Sequence, residues 1–178
     1  MNWNFVTDHY LVRLPISETD SGALFNLLRQ QAVCDHIPRT ALAIESQATD
    51  ELRRIALRFE TREAAFWLIE NEGTGELLAR IGIQNINWMM LNAQLQWELS
   101  PACDLQVLQE VVPAILEFVF AELRLHRVEM RLRAGNTEHA EYLTALGFEA
   151  EGTLPAQFEF NSEDIALDIY SLISDKKF

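Results

Sequence analysis

Cysteine, glycine and long apolar runs are scarce in this sequence. The chain of 178 residues has 2 cysteines and 7 glycines. Cys34 and Cys103 stand outside any metal-ligand spacing, so both are expected to be free thiols. No apolar run reaches the length of a membrane span, and the first residues lack the basic-then-apolar order of a signal peptide. A cytoplasmic protein without a membrane segment is therefore the expectation.

Basic residues are also few compared with acidic ones. The sequence has 27 Asp and Glu against 14 Lys and Arg, and its formal net charge is -13. A protein that binds nucleic acid through the phosphate backbone needs a basic face, so this class of function is excluded. The negative charge serves solubility first, and it would favour a basic partner such as a Lys- and Arg-rich protein tail.

The hydrophobic patterns predict an α+β protein with one domain over residues 1–178. Strands are expected at residues 10–14, 65–70, 77–88, 93–99, 126–133, 158–160 and 165–173, and a further strand is expected to begin at Phe148. Helices are expected at residues 21–31, 49–61, 105–125 and 137–146. Pro113 lies inside the third helical segment, and the sequence leaves open whether it kinks one helix or begins a shorter one.

One stretch, residues 125–154, has the clearest pattern. Val128, Met130 and Leu132 alternate with charged residues, as in a half-buried strand. Asn136 follows in a turn and can cap a short helix. Gly147 ends that helix in the manner of a left-handed C-terminal residue. The stretch therefore predicts a strand, a helix and a second strand in succession.

This stretch resembles the C-terminal half of a GNAT acetyltransferase, in the branch that acetylates protein N-termini, including those of ribosomal proteins. The matching residues are Leu125, Arg127, Val128, Asn136, Leu143, Leu146, Gly147, Phe148, Glu151 and Gly152. The resemblance extends over nearly the whole chain. It implies the GNAT fold, a mixed central sheet flanked by helices, and an N-acetyltransferase with acetyl-CoA as donor and an amine as acceptor. The acceptor can be a protein N-terminus, an antibiotic or a small amine.

The resemblance also implies where the cofactor would bind. In the family the fourth and fifth strands diverge, and main-chain groups of the fourth hold the pantetheine arm. The residues expected to contact the cofactor are Trp97, Glu98 and Leu99 on this strand, Leu105, Gln106 and Val107 at the start of the next helix, and Asn136. For Asn136 a plain helix cap is the alternative.

The sequence departs from the family at the loop that binds pyrophosphate. The family uses a glycine-rich loop with a basic residue, whereas residues 102–107 contain no Gly, Arg or Lys. Asp104 falls about where a glycine is expected, and its carboxylate would repel a pyrophosphate. Two functions stay open: an enzyme that binds acetyl-CoA without this loop, and a catalytically silent GNAT-fold protein that acts as a binding module.

Three side chains are candidates for proton transfer. His139 occupies the position of a serine that protonates the leaving thiolate in some members, and Tyr142 lies one turn further on. Glu98 is the candidate base, directly or through water. The structural alternatives are an exposed histidine, a core aromatic and a solvated carboxylate. His36 and Glu45 are weaker candidates on the acceptor side, and no metal site is expected.

Residues 88–91, Trp-Met-Met-Leu, are apolar at a position where a polar hairpin tip is expected. An exposed apolar tip indicates a contact surface. A homodimer interface or a wall of the acceptor site is the expectation, and folding back onto the core is the alternative.

Overall fold

The computed structural model describes residues 1–175. Its strands are β1 (Phe5–Val6), β2 (Tyr10–Arg13), β3 (Ala65–Asn71), β4 (Leu77–Asn87), β5 (Asn92–Leu99), β6 (Arg127–Arg133), β7 (Glu149–Phe160) and β8 (Glu163–Ile173). Its helices are α1 (Ser21–Leu28), α2 (Gln31–Cys34), α3 (Glu45–Glu60), α4 (Leu105–Ala121) and α5 (Thr137–Ala145).

The strands form one sheet in the order β1-β2-β3-β4-β5-β6-β8-β7. All neighbours are antiparallel except β5 and β6, which are parallel. Side chains alternate across the sheet, and Trp67 packs in the core that contains α4 while Phe66 and Leu68 pack with α1 and α3. The predicted class, a mixed sheet flanked by helices, is confirmed.

The parallel pair β5–β6 is joined only at its beginning. Its register runs from Asn92 opposite Arg127 to Gln94 opposite Glu129. Beyond these residues β6 continues to pair with β8. Residues 95–99 of β5 and 130–133 of β6 therefore diverge, as the resemblance implies, and the gap between them is called the slot below.

Two predicted helices differ in the structure, and the sequence left the course of a third open. The helix predicted at residues 21–31 ends at Leu28, and Gln31–Cys34 form the separate helix α2. Helix α3 begins at Glu45, four residues earlier than predicted, because the side chain of Gln47 reaches back to accept from the amides of Ala43 and Ile44. Helix α4 continues through Pro113 as a single helix. Apolar residues on both sides of the proline are buried against the sheet, and this burial outweighs the hydrogen bond that proline cannot make.

Candidate active site

One side chain from the segment after α2 lies between the ends of the two diverging strands. The Nε2 atom of His36 is 2.6 Å from the main-chain carbonyl oxygen of Trp97 on β5. Because a carbonyl oxygen can only accept, Nε2 carries the proton and donates it. The main-chain carbonyl of His36 in turn accepts from the amide of Arg133 on β6, at 2.9 Å. His36 thus links the two strands across the slot, and it is 1% exposed.

The first turn of α5 places a second imidazole against the first. The indole Nε1–H of Trp97 donates to Nδ1 of His139, at 2.9 Å. The rings of His36 and His139 stack with their centroids 3.9 Å apart and an angle of 8° between their planes. These two residues are called the histidine pair. The pair lies at the slot and binds Trp97, one of the residues that the resemblance assigns to the thioester arm of a cofactor.

Both imidazoles are neutral at pH 7. Burial lowers the pKa of His36 below its ordinary value of 6.5. Burial, together with the neighbouring His36, lowers the pKa of His139 to about 3. An indole nitrogen can only donate, so Nδ1 of His139 carries no proton. The role of His139 as a proton donor stays a prediction, and this low pKa weighs against it.

The histidine pair makes the free energy of unfolding depend on pH. The unfolded chain protonates His139 near pH 6.5, whereas the folded chain keeps it neutral down to about pH 3. Protons therefore favour the unfolded state in this window, and the free energy of unfolding is expected to fall by about 1–2 kcal/mol from pH 7 to pH 5. Urea denaturation at several pH values measures this fall.

His139→Gln is the matched control for that dependence. Glutamine keeps an acceptor for the Trp97 indole but does not titrate, so the fall between pH 7 and pH 5 should become shallower. A further fall below pH 4.5 should remain in the variant, because Glu51 has a folded pKa of about 2 against an ordinary 4.5. Burial alone would raise the pKa of Glu51, but the charges of Arg80 and Arg39 outweigh it. Equal slopes in the two proteins between pH 7 and pH 5 would contradict this account of His139.

The first turn of α4 carries a carboxylate where the family pattern binds pyrophosphate. Asp104 is the N-cap of α4, and its Oδ1 accepts from the amide of Val107 at 3.1 Å. Amides at a helix N-terminus attract anions, and here the anion comes from the protein itself. Leu105, Gln106 and Val107, the predicted cofactor residues, form this same turn. Their contact with a cofactor stays a prediction.

The start of α5 adds a second carboxylate to this surface. The hydroxyl of Tyr142 donates to Oε1 of Glu138, at 2.8 Å. Burial and Glu138 raise the pKa of Tyr142 to about 12, and Cys103 and Asp104 lie near enough to add to the shift. The role of Tyr142 as a proton donor stays a prediction, since its proton is already bound to a carboxylate. Asp104 and Glu138 both lie near enough to Tyr142 to raise its pKa. Because the carboxylate of Asp104 already binds an amide at the start of α4, the residues present there do not fit a pyrophosphate.

Asn136 is the N-cap of α5. Its Oδ1 accepts from the amide of His139, at 3.0 Å. The structure thus shows the helix cap that was the alternative to a cofactor contact. The cap also fixes the first turn of α5 and, with it, the position of the His139 ring. A cofactor contact by Asn136 stays a prediction.

Glu98, the predicted base, lies in an ion pair inside the protein. Arg80 donates from Nε to Oε2 at 3.0 Å and from Nη2 to Oε1 at 2.6 Å, and neither side chain is exposed. Burial alone would raise the pKa of Glu98, but the charge of Arg80 outweighs it and lowers the pKa. A buried, paired and weakly basic carboxylate is poorly suited to take a proton. The role of Glu98 as a base stays a prediction, and its ion pair weighs against it.

Main-chain groups of successive β5 residues point alternately toward the slot and toward β4. The carbonyl of Trp97 points to the slot, where it binds His36. Main-chain groups of successive strand residues point to opposite edges, so Leu99 shares the slot edge with Trp97 while Glu98 faces β4. Two of the three predicted strand residues therefore have main-chain groups at the slot. Cofactor binding by these residues stays a prediction.

A groove of about 530 Å³ lies beside the slot, bounded by α3, the segment after α2 and strands β3 to β5. Its polar lining includes Arg39, Glu51, Arg54, Arg58, Gln84 and Gln96. Gln96 precedes Trp97 in the chain, and Ile37, which also lines the groove, follows His36. The groove therefore ends beside the histidine pair. Its volume is in the range of small-ligand sites.

Residues 88–91 form an exposed turn between β4 and β5. Met89 is 91% and Met90 is 67% exposed. Trp88 is held against the body of the protein, because its Nε1–H donates to the carbonyl of Arg62 at 2.8 Å and the Arg62 guanidinium lies over its ring. The two methionines do not fold back onto the core. A homodimer contact at this tip stays a prediction.

Cys34 and Cys103 are free, as predicted. No group of three or more His, Cys, Asp or Glu side chains within residues 1–175 is placed to bind a metal ion. None of the helices in that range combines the length and hydropathy needed to cross a membrane.

The mixed sheet, its diverging parallel pair and the adjoining groove define an acetyltransferase-type α+β protein. The chain belongs to the GNAT acetyltransferase family, since the family model described as Acetyltransferase (GNAT) domain matches residues 11–149. This confirms the predicted family and the activity expected from it, transfer of an acetyl group to an amine, and it implies an acyl-CoA donor. The chain matches no curated protein sequence.

Solved structures with the same fold include several acetyltransferases. The ribosomal-protein-S5-alanine acetyltransferase of Vibrio fischeri is 19% identical with a TM-score of 0.84, and the match covers 98% of each chain. The ribosomal L7/L12 alpha-N-protein acetyltransferase RimL, in complex with coenzyme A, is 15% identical with a TM-score of 0.86 over 96% of this chain and 97% of its own. The spermidine N-acetyltransferase of Vibrio cholerae, in complex with CoA and spermine, is 14% identical with a TM-score of 0.79 over 92% and 95%. At these identities the comparison shows the fold.

An acyl-CoA donor would fit this site only in part. The diverging strands that the family uses are present. Within the slot the carbonyl of Trp97 already accepts from His36, and the carboxylate of Asp104 accepts from the amide of Val107 at the start of α4. The pyrophosphate position does not fit its ligand, so any binding must come mainly from the slot.

Proposed function

We propose that this protein is an N-acetyltransferase that moves an acetyl group from acetyl-CoA to the N-terminal amine of a protein held in the groove. The observation that carries the proposal is the divergence of β5 and β6 after Gln94 and Glu129. By their names, two of the similar structures act on ribosomal proteins, which supports a protein N-terminus as acceptor. We also propose a single domain over residues 1–178, since the sheet contains strands from both ends of the described chain.

Labelled acetyl-CoA tests this function directly. The protein is incubated with acetyl-CoA that carries an isotope in the acetyl group and with peptides that have a free N-terminus. Label in the peptides supports the function, provided that a peptide with a blocked N-terminus stays unlabelled. Absence of label in every peptide would contradict it.

Within this proposal, His36 is the group that takes the proton of the amine. It binds the Trp97 carbonyl at the slot and precedes Ile37 of the groove lining, burial keeps it neutral, and its Nδ1 has no hydrogen-bond partner in the described part of the chain. A neutral imidazole with a free lone pair is a suitable base near pH 7. His36 is thus preferred over Glu98, whose lone pairs bind Arg80.

His36→Ala separates the two effects of this side chain. The variant should acetylate about a hundredfold more slowly, the order of effect of losing a general base. It should bind acetyl-CoA at least as tightly, because the Trp97 carbonyl and the slot are then free. Steady-state acetylation rates and calorimetric affinities measure the two effects. His126 is exposed, so the control variant His126→Ala should change neither the acetylation rate nor the affinity for acetyl-CoA. An unchanged acetylation rate in His36→Ala would show that His36 is not the base.

A second candidate function is a catalytically silent binding module. The specific observation that favours it is the carboxylate of Asp104, which accepts from the amide of Val107 at the pyrophosphate position. Such a protein would use the groove or the exposed tip to bind a partner and would need no cofactor. Acetyl-CoA binding separates the two functions, since a silent module gives no heat and no thermal shift even at millimolar cofactor.

Met90→Glu tests the exposed tip. If residues 88–91 form a homodimer contact, burying a carboxylate there is unfavourable, and the variant should sediment as a smaller species than the unaltered protein. Leu57→Glu, at another exposed apolar residue outside the tip, should leave the sedimentation profile unchanged. Identical profiles for Met90→Glu and the unaltered protein would remove the dimer from the account.

A further inference from the structure

We infer that the groove selects an acceptor with a carboxylate close to its amine, as in a peptide with an acidic residue among its first positions. The inference rests on the proposed function, because only an acetyltransferase has an acceptor. The preference for a carboxylate is argued from the charges that line the groove. The net charge of -13 alone would favour a basic partner, whereas the groove favours an acidic one.

The buried charges beneath the groove are already balanced. Arg80 holds both oxygens of Glu98, and its Nη1 donates to Oε1 of Glu51 at 2.8 Å. Arg39 donates to the same Glu51 oxygen at 3.1 Å and lies 3.5 Å from Glu98. Two guanidinium groups thus face two carboxylates. Neither carboxylate is available to bind a positively charged ligand.

Two more guanidinium groups line the groove above this balanced set. Arg54 donates to the remaining oxygen of Glu51, at 2.8 Å. Arg58 binds only amide oxygens, those of Gln84 at 3.1 Å and Asn85 at 3.2 Å, and makes no ion pair within residues 1–175. The one other acid on the lining, Asp50, is paired with Arg53 outside the groove. The groove therefore has an excess of positive charge in an otherwise acidic protein.

Arg58 is the residue best placed to bind a ligand carboxylate. Its guanidinium is half-buried and has no carboxylate of its own, so a ligand carboxylate would form a charge-assisted pair in a partly desolvated place. A ligand ammonium or guanidinium would instead meet arginines and engaged carboxylates. The groove favours an acidic side chain over a basic one for this reason.

The position of Arg58 also sets how far the carboxylate is from the amine. Arg58 binds Gln84, Gln84 binds Gln96, and Gln96 precedes Trp97 at the slot. Only this short row of side chains separates Arg58 from the histidine pair. The carboxylate must therefore belong to one of the first few residues of the acceptor.

Peptide binding without any donor tests the inference. Three fluorescent peptides of equal length are compared by anisotropy, with Glu, Gln or Lys at the second position and otherwise the same sequence. The Glu peptide is expected to bind about tenfold more tightly than the Gln peptide, and the Lys peptide most weakly. Equal affinities, a preference for the Lys peptide, or no saturable binding of any peptide would overturn the inference.

Variants of Arg58 test whether this residue causes the preference for the Glu peptide. Arg58→Gln should lower the affinity for the Glu peptide to that of the Gln peptide and leave the Gln peptide unaffected, while Arg58→Lys should retain part of the preference. Arg53→Gln is the matched control, because Arg53 is an exposed arginine of the same helix that does not line the groove. A preference that survives Arg58→Gln would overturn the assignment. Since no acetyl-CoA is present, a Glu preference in a protein without transferase activity would refute the proposed function and leave this inference standing.

Discussion

Arg80→Met is expected to lower the free energy of unfolding by about 3–5 kcal/mol, the cost of leaving a buried charge without its partner. Arg80 and Glu98 are both completely buried, and Arg80 also binds Glu51. Methionine has a similar shape but leaves the Glu98 carboxylate unpaired inside the protein. Denaturant unfolding followed by tryptophan fluorescence measures the loss.

Two controls show whether the loss comes from the unpaired charge. Arg80→Met combined with Glu98→Leu removes both members of the pair, so most of the stability should return. Arg53→Met breaks an exposed pair with Asp50 and should change the free energy of unfolding by less than about 0.5 kcal/mol. A loss in Arg80→Met no larger than that in Arg53→Met would contradict the buried ion pair.

Asp104→Asn is expected to tighten acetyl-CoA binding about tenfold, the order of effect of removing one screened charge beside a phosphate. Asparagine is as good an N-cap as aspartate, so α4 should keep its first turn while the negative charge disappears. Asp104→Gly combined with Gln106→Gly should tighten binding further, because the main chain can then approach the phosphates. Calorimetry gives the affinities.

The control for this prediction lies at the other end of the same helix. Glu122 is the exposed C-cap of α4, and Glu122→Gln removes the same charge far from the pyrophosphate position. It should leave acetyl-CoA affinity unchanged. If both Asp104 variants also bind with unchanged affinity, the carboxylate at the start of α4 does not oppose the cofactor.

The elements with strong periodic or capping signals could be predicted from the sequence. Strand β6 follows from the alternation of Val128, Met130 and Leu132, all of which are buried. Helix α5 lies where its cap and Gly147 place it, and Gly147 has a φ of 90°, the left-handed conformation that favours glycine. In these segments local chemistry and burial indicate the same structure.

Other elements lacked such a signal. Strand β7 is mostly exposed along its length, so its sequence shows no alternation. Its two ends were predicted, as a strand that begins at Phe148 and another at residues 158–160, but not the one continuous strand between them. Strand β1 has two residues, too few for any period to appear. The early start of α3 depends on one glutamine side chain reaching back to the main chain. Periodicity cannot reveal an element that buries little or is fixed by a single side chain.

The candidate site was predictable in outline and not in its contacts. The slot follows from the family resemblance. The ion pair of Glu98 had only a partial signal. A hairpin that turns at residues 88–91 pairs Asn87 with Asn92 and, by counting back, Ile81 with Glu98, and the register shift between Gln84 and Asn87 is what brings Arg80 opposite Glu98. The histidine pair had none, because residues 36 and 139 are distant in sequence and meet only through the fold.

The histidine pair also shows why residue type alone misleads at this site. His139 was a candidate acid and His36 a weaker candidate. Burial keeps both imidazoles neutral, and the carbonyl of Trp97 fixes the proton of His36 on Nε2. Burial weighs against an acid role for His139, whereas a base role for His36 is supported by its Nδ1, which has no hydrogen-bond partner within residues 1–175. Such a distinction depends on neighbours that only the structure supplies.

Calorimetric titration of the unaltered protein with acetyl-CoA tests most directly whether the gap between β5 and β6 is a working donor site. We expect saturable binding with one molecule per chain at concentrations below millimolar, weakened by Asp104 but not abolished. No heat and no rise in melting temperature at millimolar acetyl-CoA would contradict the account and leave the silent binding module as the function of this fold.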